Sequence, residues 1–296
     1  MMYSYSTILQ FLVSGIAVGC IYGLAGIGLS VIYSSSRVIN FAQGTFVMLG
    51  GMLTYMFSQL LGLNLVLAAA CSIASVGVCG AMLEGFFVRR LRHNRAPLFN
   101  MVLATLAFGI IIENGVLHTL GDRPHDFSFV ESAKLFRLFG ASLDVHYILI
   151  AVSCIFIIVL LSLLFKFTLV GKAMRASAIN GEAASLLGVS TDRMITYAFT
   201  LSGVLGAIGG VLITSVQYTS YSVGLFFALN GFVAVVLGGL GNVFGAFAGG
   251  IILGILQTIA TVAFGVGMKE VVSLGIMILL LLVRPQGLFA SSGDAH

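Results

Sequence analysis

Few side chains in this sequence could carry out chemistry, and the most conspicuous is an acid inside a long apolar run. Glu113 lies within the apolar stretch 98–120, with Asn114 beside it and His118 five residues further on. A carboxylate at that depth is costly unless it is paired or faces water. We therefore expect Glu113 to have one of three roles: pairing with a structural partner, a position along a solute path, or proton coupling.

A second acid, Glu84, precedes the basic run 89–95 by about one helical turn. We expect this carboxylate to pair with Arg89 or Arg90 rather than to act on a solute. Proton-driven carriers usually contain several buried acids or a buried basic partner, whereas this sequence offers only Glu113 at depth. The shortage of deep acids disfavours a secondary carrier.

Polar residues also interrupt the chain ahead of the second apolar run, in Ile39-Asn40-Phe41-Ala42-Gln43-Gly44. Two amides and a glycine can satisfy backbone groups where a helix breaks or lines a cavity. Asn40 is either a simple helix cap or part of a pathway or gate, and both alternatives stay open. A similar polar turn at Asn242 precedes another glycine-rich helix, which hints at an internal repeat. The hypothetical translocation path comprises Asn40, Gln43, Gly44, Glu113 and Asn242.

The sequence contains none of the common motifs of catalysis or nucleotide binding. A phosphate-binding GxxxxGK(S/T) loop is absent, so the chain does not itself bind ATP phosphates. HExxH, GxSxG and aspartates inside apolar runs are absent as well, which disfavours intramembrane proteases. The four cysteines lie in apolar runs without CxxC spacing. We therefore predict no catalytic residue, no metal site, no disulfide and no cofactor.

The composition is that of a membrane protein. Of 296 residues, 59% are hydrophobic and 8% are charged, whereas an ordinary soluble domain has about 25% charged residues. The 37 glycines are spread along apolar runs, a pattern typical of membrane helices that pack closely together. The chain is therefore predicted to be one all-α, polytopic transmembrane domain over residues 1–296.

About 20 apolar residues suffice for a helix to cross the hydrocarbon region. This criterion predicts eight to nine crossings, with broken or re-entrant helices, near 8–33, 38–61, 63–88, 98–120, 147–165, 195–216, 222–240, 243–264 and 268–283. The stretch 222–264 is too long for one crossing, and the glycine-rich segment 238–242 is the expected turn or break. Glycines at four-residue spacing mark two of these runs and indicate either internal packing or a subunit interface: Gly15, Gly19, Gly23, Gly241, Gly245 and Gly249.

Ten of the fourteen basic residues fall on one predicted side of the membrane. Because lysine and arginine are enriched in cytoplasmic loops, we expect that side to be cytoplasmic. The N-terminus is then periplasmic, the C-terminus is cytoplasmic, and the loop 121–146 is periplasmic. The basic residues lie in short loops between spans, so the net charge of +4 does not indicate nucleic-acid binding.

One predicted cytoplasmic segment, 166–193, is much longer than the other inside loops, and we call it the coupling loop. Its sequence predicts two short helices, 172–179 and 182–187, with a break at Gly181 and a stop at Gly188. The span that follows is expected to be capped by Ser190, Thr191 or Asp192.

The second short helix of the coupling loop presents small and apolar side chains, namely Ala183, Ala184, Leu186 and Leu187. The alanines permit close approach and the leucines supply anchors, so this face fits a groove on a soluble partner. The alternative is an interfacial helix that rests on lipid headgroups.

Glu182-Ala183-Ala184 followed by Gly188 forms an EAAxxxG pattern, which resembles the loop by which ABC-importer permeases dock their ATPases. Further segments resemble the branched-chain amino-acid (Liv-type) permeases, and together they cover essentially the whole chain: 38–44, 48–50, 171–176, 183–193, 237–246 and 283–289. The Ile-x-Leu-Pro that often follows EAAxxxG is absent, which points away from the maltose-type permeases.

The resemblance implies a bacterial inner-membrane subunit of a branched-chain amino-acid importer, the smaller of two homologous permeases. Its expected partners are the second permease, two ABC ATPase subunits, a periplasmic solute-binding protein and the lipid bilayer, with leucine, isoleucine or valine as the solute. The ATPase-coupling site would comprise Arg175, Glu182, Ala183, Ala184, Leu187 and Gly188. Similar permeases import urea, short amides or other small carboxylates. A secondary carrier or channel and a membrane enzyme are the rival classes.

Overall fold

Long apolar runs, interrupted by glycine and polar turns, form the helices of this chain. The computed structural model describes residues 5–129, 135–138, 141–265, 267–284 and 286–289. Twelve α-helices lie within these ranges: α1 (Tyr5–Ser36), α2 (Gln43–Tyr55), α3 (Leu65–Leu83), α4 (Arg89–His93), α5 (Leu98–Leu120), α6 (Val145–Phe167), α7 (Leu169–Ile179), α8 (Gly181–Leu186), α9 (Thr191–Thr214), α10 (Val223–Gly238), α11 (Val243–Phe264) and α12 (Met268–Val283). The predicted helical membrane bundle is confirmed.

Six helices of the described chain are long and apolar enough to cross a membrane. They are α1 from Leu9 onwards, α3 with its extension to His93, α5, α6, α9 and α11. The other apolar helices are shorter, because α2 has 13 residues and α10 and α12 have 16 each. Eight to nine crossings therefore stay a prediction, since the three shorter helices would have to complete that number.

The second apolar run, predicted as a span near 38–61, becomes helical only from residue 43 onwards. Residues 38–42 form a turn, and α2 begins at Gln43. The turn is held by the side-chain oxygen of Asn40, which accepts a hydrogen bond from the backbone N–H of Ala42 at 3.1 Å. An Asx turn of this kind competes with helix formation.

The loop 121–146 contains a hairpin that the sequence did not predict. Strand β1 (Leu135–Leu138) pairs antiparallel with β2 (Ala141–Asp144). In the same loop, His125 exchanges two backbone hydrogen bonds of 2.8 Å with Thr219, which precedes α10. The loop is thereby tied to the α9–α10 connection.

The two glycine ladders serve internal packing of the bundle. A methyl group added at Gly19 of α1 would lie 2.8 Å from the carbonyl oxygen of Gly250 and from Cα of Ile251, both in α11. A methyl group added at Gly249 of α11 would collide with the carbonyl oxygen of Ala234 in α10. Glycine lets helix backbones approach closely where lipid supplies no hydrophobic driving force between helices. Of the two alternatives, the contacts favour packing within the subunit.

The break expected between α10 and α11 is confirmed. Gly239 and Gly241 have φ values of +101° and +88°, which favour glycine because it has no Cβ. The chain thereby reverses between the end of α10 and the start of α11. The segment after α12 packs against this turn, where the backbone N–H of Leu288 donates to the carbonyl oxygen of Leu237 at 2.8 Å.

We predict that Gly19→Ala destabilises the protein, because its methyl group would collide with backbone atoms that cannot rotate away. Overpacking of this kind costs about 1–3 kcal/mol, and the measurement is thermal unfolding of the detergent-purified protein. Gly115→Ala in α5 is the matched control, because no atom lies within 4 Å of the added methyl group. Equal melting temperatures for the two variants would contradict the packing role of the glycine ladder.

Candidate functional site

The start of α2 is enclosed inside the bundle, and its freed backbone groups find partners there. Gln43 has no exposed surface and neither has Asn40. The backbone N–H of Phe41 donates to the hydroxyl of Thr105 in α5 at 3.2 Å. Asn40 closes the turn with its oxygen, whereas its buried Nδ2 has no hydrogen-bond partner among the described residues. Asn40 therefore holds the turn ahead of α2 and does not cap the helix, whose N-cap is Ala42 without a side-chain hydrogen bond; a pathway or gate role for Asn40 stays a hypothesis.

The side chain of Gln43 bonds to the middle of α9. Its Nε2 donates to the carbonyl oxygen of Ser202 at 3.2 Å, and its Oε1 accepts a short hydrogen bond from the Ser202 hydroxyl. A methyl group at Gly28 of α1 would overlap the Gln43 amide. The amide is thus enclosed between α1 and α9, so Gln43 links the broken start of α2 to both helices.

Glu113 lies where the first turns of α2 and α10 meet. Gly44 packs directly on the backbone of Gly224 and Ala228, and Oε1 of Glu113 lies against the Cα of Gly224. The exposed N–H groups of a helix start carry a partial positive charge, which stabilises a nearby carboxylate. No described residue forms an ion pair with Glu113, so the start of α10 is the structural partner that the geometry offers.

Asn242 does not join this group. It caps α11, since its Oδ1 accepts from the backbone N–H of Gly245 at 2.9 Å, and its Nδ2 donates to the carbonyl oxygen of Phe289 at 2.8 Å. Gly44 contacts the first turns of α10, whereas Asn242 follows the last turn of the same helix. The structure places Asn40, Gln43 and Gly44 at the start of α2 and Glu113 at the contact of α2 with α10, and leaves Asn242 about a helix length away.

A buried charge cluster joins α3 to α9. Glu84, which is fully buried, accepts from Arg89 Nη2 at 2.8 Å and from the Thr196 hydroxyl at 2.8 Å. Arg92 bridges Glu84 at 3.4 Å and Asp192 at 2.6 Å. Pairing with Arg89 was expected, but the second partner is Arg92 rather than Arg90.

The pairing of Arg89 with Glu84 arises from a π-helical turn, Glu84–Val88, that follows α3. Because π-helical hydrogen bonds join residues five apart, Arg89 is brought over Glu84. Asp192 and Thr196 were missed as members of the cluster. Asp192 lies 100 residues from Arg92, and no local pattern indicates that contact.

The coupling loop folds into the two short helices predicted for it, with shifted bounds. α7 spans Leu169–Ile179 and α8 spans Gly181–Leu186. Asn180 caps α8 by accepting from the backbone N–H of Ala183 at 2.9 Å, a role that the sequence analysis missed. Gly188 has a φ of +83°, as expected for a residue that ends a helix.

Of the three residues predicted as a cap for α9, Ser190 takes that position. Ser190 occupies the N-cap position without a side-chain hydrogen bond. The Thr191 hydroxyl donates instead to the carbonyl oxygen of Gly181 at 3.2 Å. The start of α9 is thereby fastened to the start of α8.

The exposed face of α8 differs from the predicted face. Leu186 and Leu187 are 89% and 85% exposed, whereas Ala184 is only 3% exposed. Ala184 therefore packs inward and does not belong to the outer surface. The remaining predicted coupling residues are all largely or partly open to solvent: Arg175, Glu182, Ala183 and Gly188. A surface depression of about 390 Å³ adjoins them, lined by Ser185, Thr191 and Asp192 among others.

Helix α9 connects the coupling loop and its charge cluster to the start of α2. The first turns of α9 carry Asp192 and Thr196, which belong to the charge cluster beside the coupling loop, and its middle carries Ser202, which binds Gln43. A displacement of the coupling loop would therefore reach the start of α2 through a single rigid element.

Stacked apolar helices, a helix break enclosed by polar contacts and a protruding two-helix loop define a multi-pass membrane permease. The particular family follows from comparison with known proteins. The chain belongs to the family described as branched-chain amino acid transport system / permease component, whose model matches residues 11–281. It is a permease subunit of an importer and not an enzyme.

Two curated relatives cover nearly the entire chain. The high-affinity branched-chain amino acid transport system permease protein BraD of Pseudomonas aeruginosa is 30% identical, over 95% of this chain and 95% of the relative. The corresponding LivH of Escherichia coli is 29% identical, over 95% of this chain and 94% of the relative. A solved structure, PsaBC from Streptococcus pneumoniae in complex with Fab, is similar with a TM-score of 0.54 and 12% identity, over 94% of this chain and 92% of that chain. At 12% identity, the similarity to this solved structure shows only a shared fold.

We predict that Glu84→Gln lowers the free energy of unfolding, because two arginines would lose their buried partner. Removing one member of a buried pair costs about 3–5 kcal/mol, and the partial exposure of Arg89 and Arg92 places the expected loss below that range. Thermal unfolding in detergent measures it. Asp122→Asn is the control, because Asp122 is exposed in the loop after α5; a Glu84→Gln protein as stable as this control would refute the cluster's structural role.

Proposed function

We propose that this chain forms half of the translocation path of an ATP-driven importer for leucine, isoleucine and valine. The observation that carries the proposal is the match of nearly the whole chain to permeases named for branched-chain amino acid transport. Such a permease would work with a homologous second permease, two ABC ATPase subunits and a solute-binding protein. The exposed α8 supports this assembly because a protruding apolar helix suits a groove on a soluble partner.

The coupling surface that we propose consists of the outer face of α8 and residues near it. Leu186 and Leu187 would anchor in a groove of the ATPase, and Glu182 and Ala183 would lie beside them. Arg175 of α7 is exposed next to this helix. Gly188 would keep the helix short, because its φ is unfavourable for residues with a Cβ.

The proposed gate lies at the start of α2. Asn40, Gln43 and Gly44 are closed off by the surrounding helices, with Glu113 half-buried beside them, so a path would open there only when these helices move apart. Breaking the Gln43–Ser202 contacts would free two polar groups to face a passing solute. Asn242 would contribute from the other end of α10, by holding the C-terminal segment in place.

The proposed orientation places the N-terminus in the periplasm and the C-terminus in the cytoplasm. Single cysteines at Ser128 and Ser185, introduced after the four native cysteines are removed, should react with an impermeant thiol reagent from opposite sides. Both positions are exposed. In intact spheroplasts we expect labelling at 128 and none at 185, and the reverse pattern would overturn the orientation.

We predict that Leu187→Asp abolishes coupling to the ATPase subunits. An unpaired carboxylate in an apolar groove is strongly unfavourable, so co-purification of the ATPases should fall about tenfold or more, and ATP-driven leucine uptake into proteoliposomes should fall with it. Leu187→Met keeps the volume and polarity of the site and is the matched control. Because Leu187 is exposed, the Asp variant should insert and fold normally.

Three results would each contradict a part of the proposal. Wild-type co-purification and uptake in Leu187→Asp would remove α8 from the coupling surface. Leucine uptake by the permeases without ATPase subunits would instead indicate a secondary carrier. Uptake of urea or short amides with no uptake of leucine, isoleucine or valine would change the proposed solute but not the proposed ATP-driven importer.

A further inference from the structure

A polar network that lies away from the start of α2 joins three helices near the other face of α10. Asn230 of α10 accepts from Gln257 of α11 at 2.6 Å and from the hydroxyl of Ser273 of α12 at 3.2 Å. Gln257 also forms a short hydrogen bond with Ser273. All three side chains are buried, and interhelical bonds of this kind hold membrane helices together.

A cavity of about 340 Å³ adjoins this network, between α10 and α12. That volume lies within the range of about 300–1,000 Å³ that small-molecule sites occupy. Its floor is polar, with Asn230 and Ser273, and its walls are mainly aliphatic and aromatic, with Leu225, Phe226 and Leu229 among them. A few polar groups set among apolar walls are the usual composition of a ligand site.

The cavity also has an acid at its rim, which a purely structural network would not need. Glu270 lines it from the first turn of α12, one turn before Ser273 on the same helix face. Among the residues that the structure describes, no ion pair or hydrogen bond engages the Glu270 side chain. An unpaired carboxylate beside apolar walls favours a cationic ligand group.

The amide of Asn230 supplies the complementary donor. Asn230 has two side-chain N–H groups, and one of them donates to the carbonyl oxygen of Phe226 at 2.8 Å. The second is free of protein partners in the described chain. Ser222 lines the cavity near its mouth, where its hydroxyl is hydrogen-bonded to that of Ser220 at 3.1 Å. Glu270 at the rim and the free N–H of Asn230 in the floor, about one turn deeper, match the ammonium and carboxylate of an α-amino acid, which are bonded to the same carbon. The apolar walls beside them match an aliphatic side chain.

The cavity lies at the end of the bundle opposite the coupling loop. α9 begins at the coupling loop and ends at Thr214, and the connection from there leads directly to Ser222. Ser222 precedes the first turn of α10, and Glu270 lies in the first turn of α12. In an importer whose ATPases dock on the coupling loop, solute arrives at this opposite end.

We propose that this cavity, built by Glu270, Asn230, Ser273 and the leucines of α10, is an entry site of the permease for a zwitterionic aliphatic amino acid. Glu270 binds the α-ammonium group, and Asn230 donates to the carboxylate. Leu225 and Leu229 contact the side chain. The inference rests on the proposed function, because that function makes this end of the bundle the side from which solute enters.

The test uses the purified permease–ATPase complex without its binding protein, and the probe is radiolabelled leucine. We expect saturable binding that leucinamide displaces, because it keeps the ammonium group, and that 4-methylpentanoate does not displace, because it lacks that group. Glu270→Gln and Leu229→Trp should each weaken leucine binding about tenfold or more, and Glu270→Asp should restore most of it.

Controls come from neighbouring positions outside the cavity. Lys269→Gln and Leu282→Trp should bind leucine as the wild type does, since neither residue lines the cavity and Leu282 is 81% exposed. Gln257→Leu separates the network's structural role from binding: a loss of thermal stability that exceeds that of Glu270→Gln is expected.

The outcomes separate this inference from the proposed function. Leucine binding unchanged in Glu270→Gln and Leu229→Trp, or displaced equally by 4-methylpentanoate, overturns the entry site. The proposed function survives that result if the complete importer still takes up leucine with its binding protein. Absence of leucine, isoleucine and valine uptake by the complete wild-type importer overturns the proposed function itself.

Discussion

The organisation of this bundle depends on the need to satisfy backbone polar groups where a helix breaks inside an apolar interior. Hydrocarbon offers no water to an open N–H or C=O group, and the chain breaks at residues 38–42, ahead of α2. The freed groups are satisfied by Asn40 within the turn and by Thr105 of a neighbouring helix. Gln43, bound to Ser202, fixes the start of α2 against α9.

Such an enclosed break is possible only because the surrounding helices approach one another closely. Gly28 leaves room for the Gln43 amide, and Gly44 lets the first turns of α2 and α10 cross. Glu113 is placed at that crossing, with its Oε1 against the Cα of Gly224 at the start of α10. The small residues thus create a compact polar junction in a bundle that is otherwise apolar.

The same helix that binds Gln43 carries the connection to the protruding loop. Thr191 fastens α9 to α8, and Asp192 and Thr196 join the buried cluster around Glu84. The exposed leucines of α8, the charge cluster and the junction at α2 therefore lie along one rigid path. In a permease driven by a separate ATPase, this arrangement gives the nucleotide-dependent movement a route into the membrane.

The sequence by itself determined the membrane location, the helical bundle, the two short helices of the coupling loop and the turns at Gly188 and Gly239, because composition, helix length and glycine placement act locally. Only the tertiary structure decided which polar groups meet. Gln43 and Ser202 are 159 residues apart in the sequence, and Arg92 and Asp192 are 100 residues apart. It also turned Ala184 inward and used Asn242 to hold Phe289. Contacts between distant segments depend on how helices rotate and pack, and local patterns do not encode that rotation.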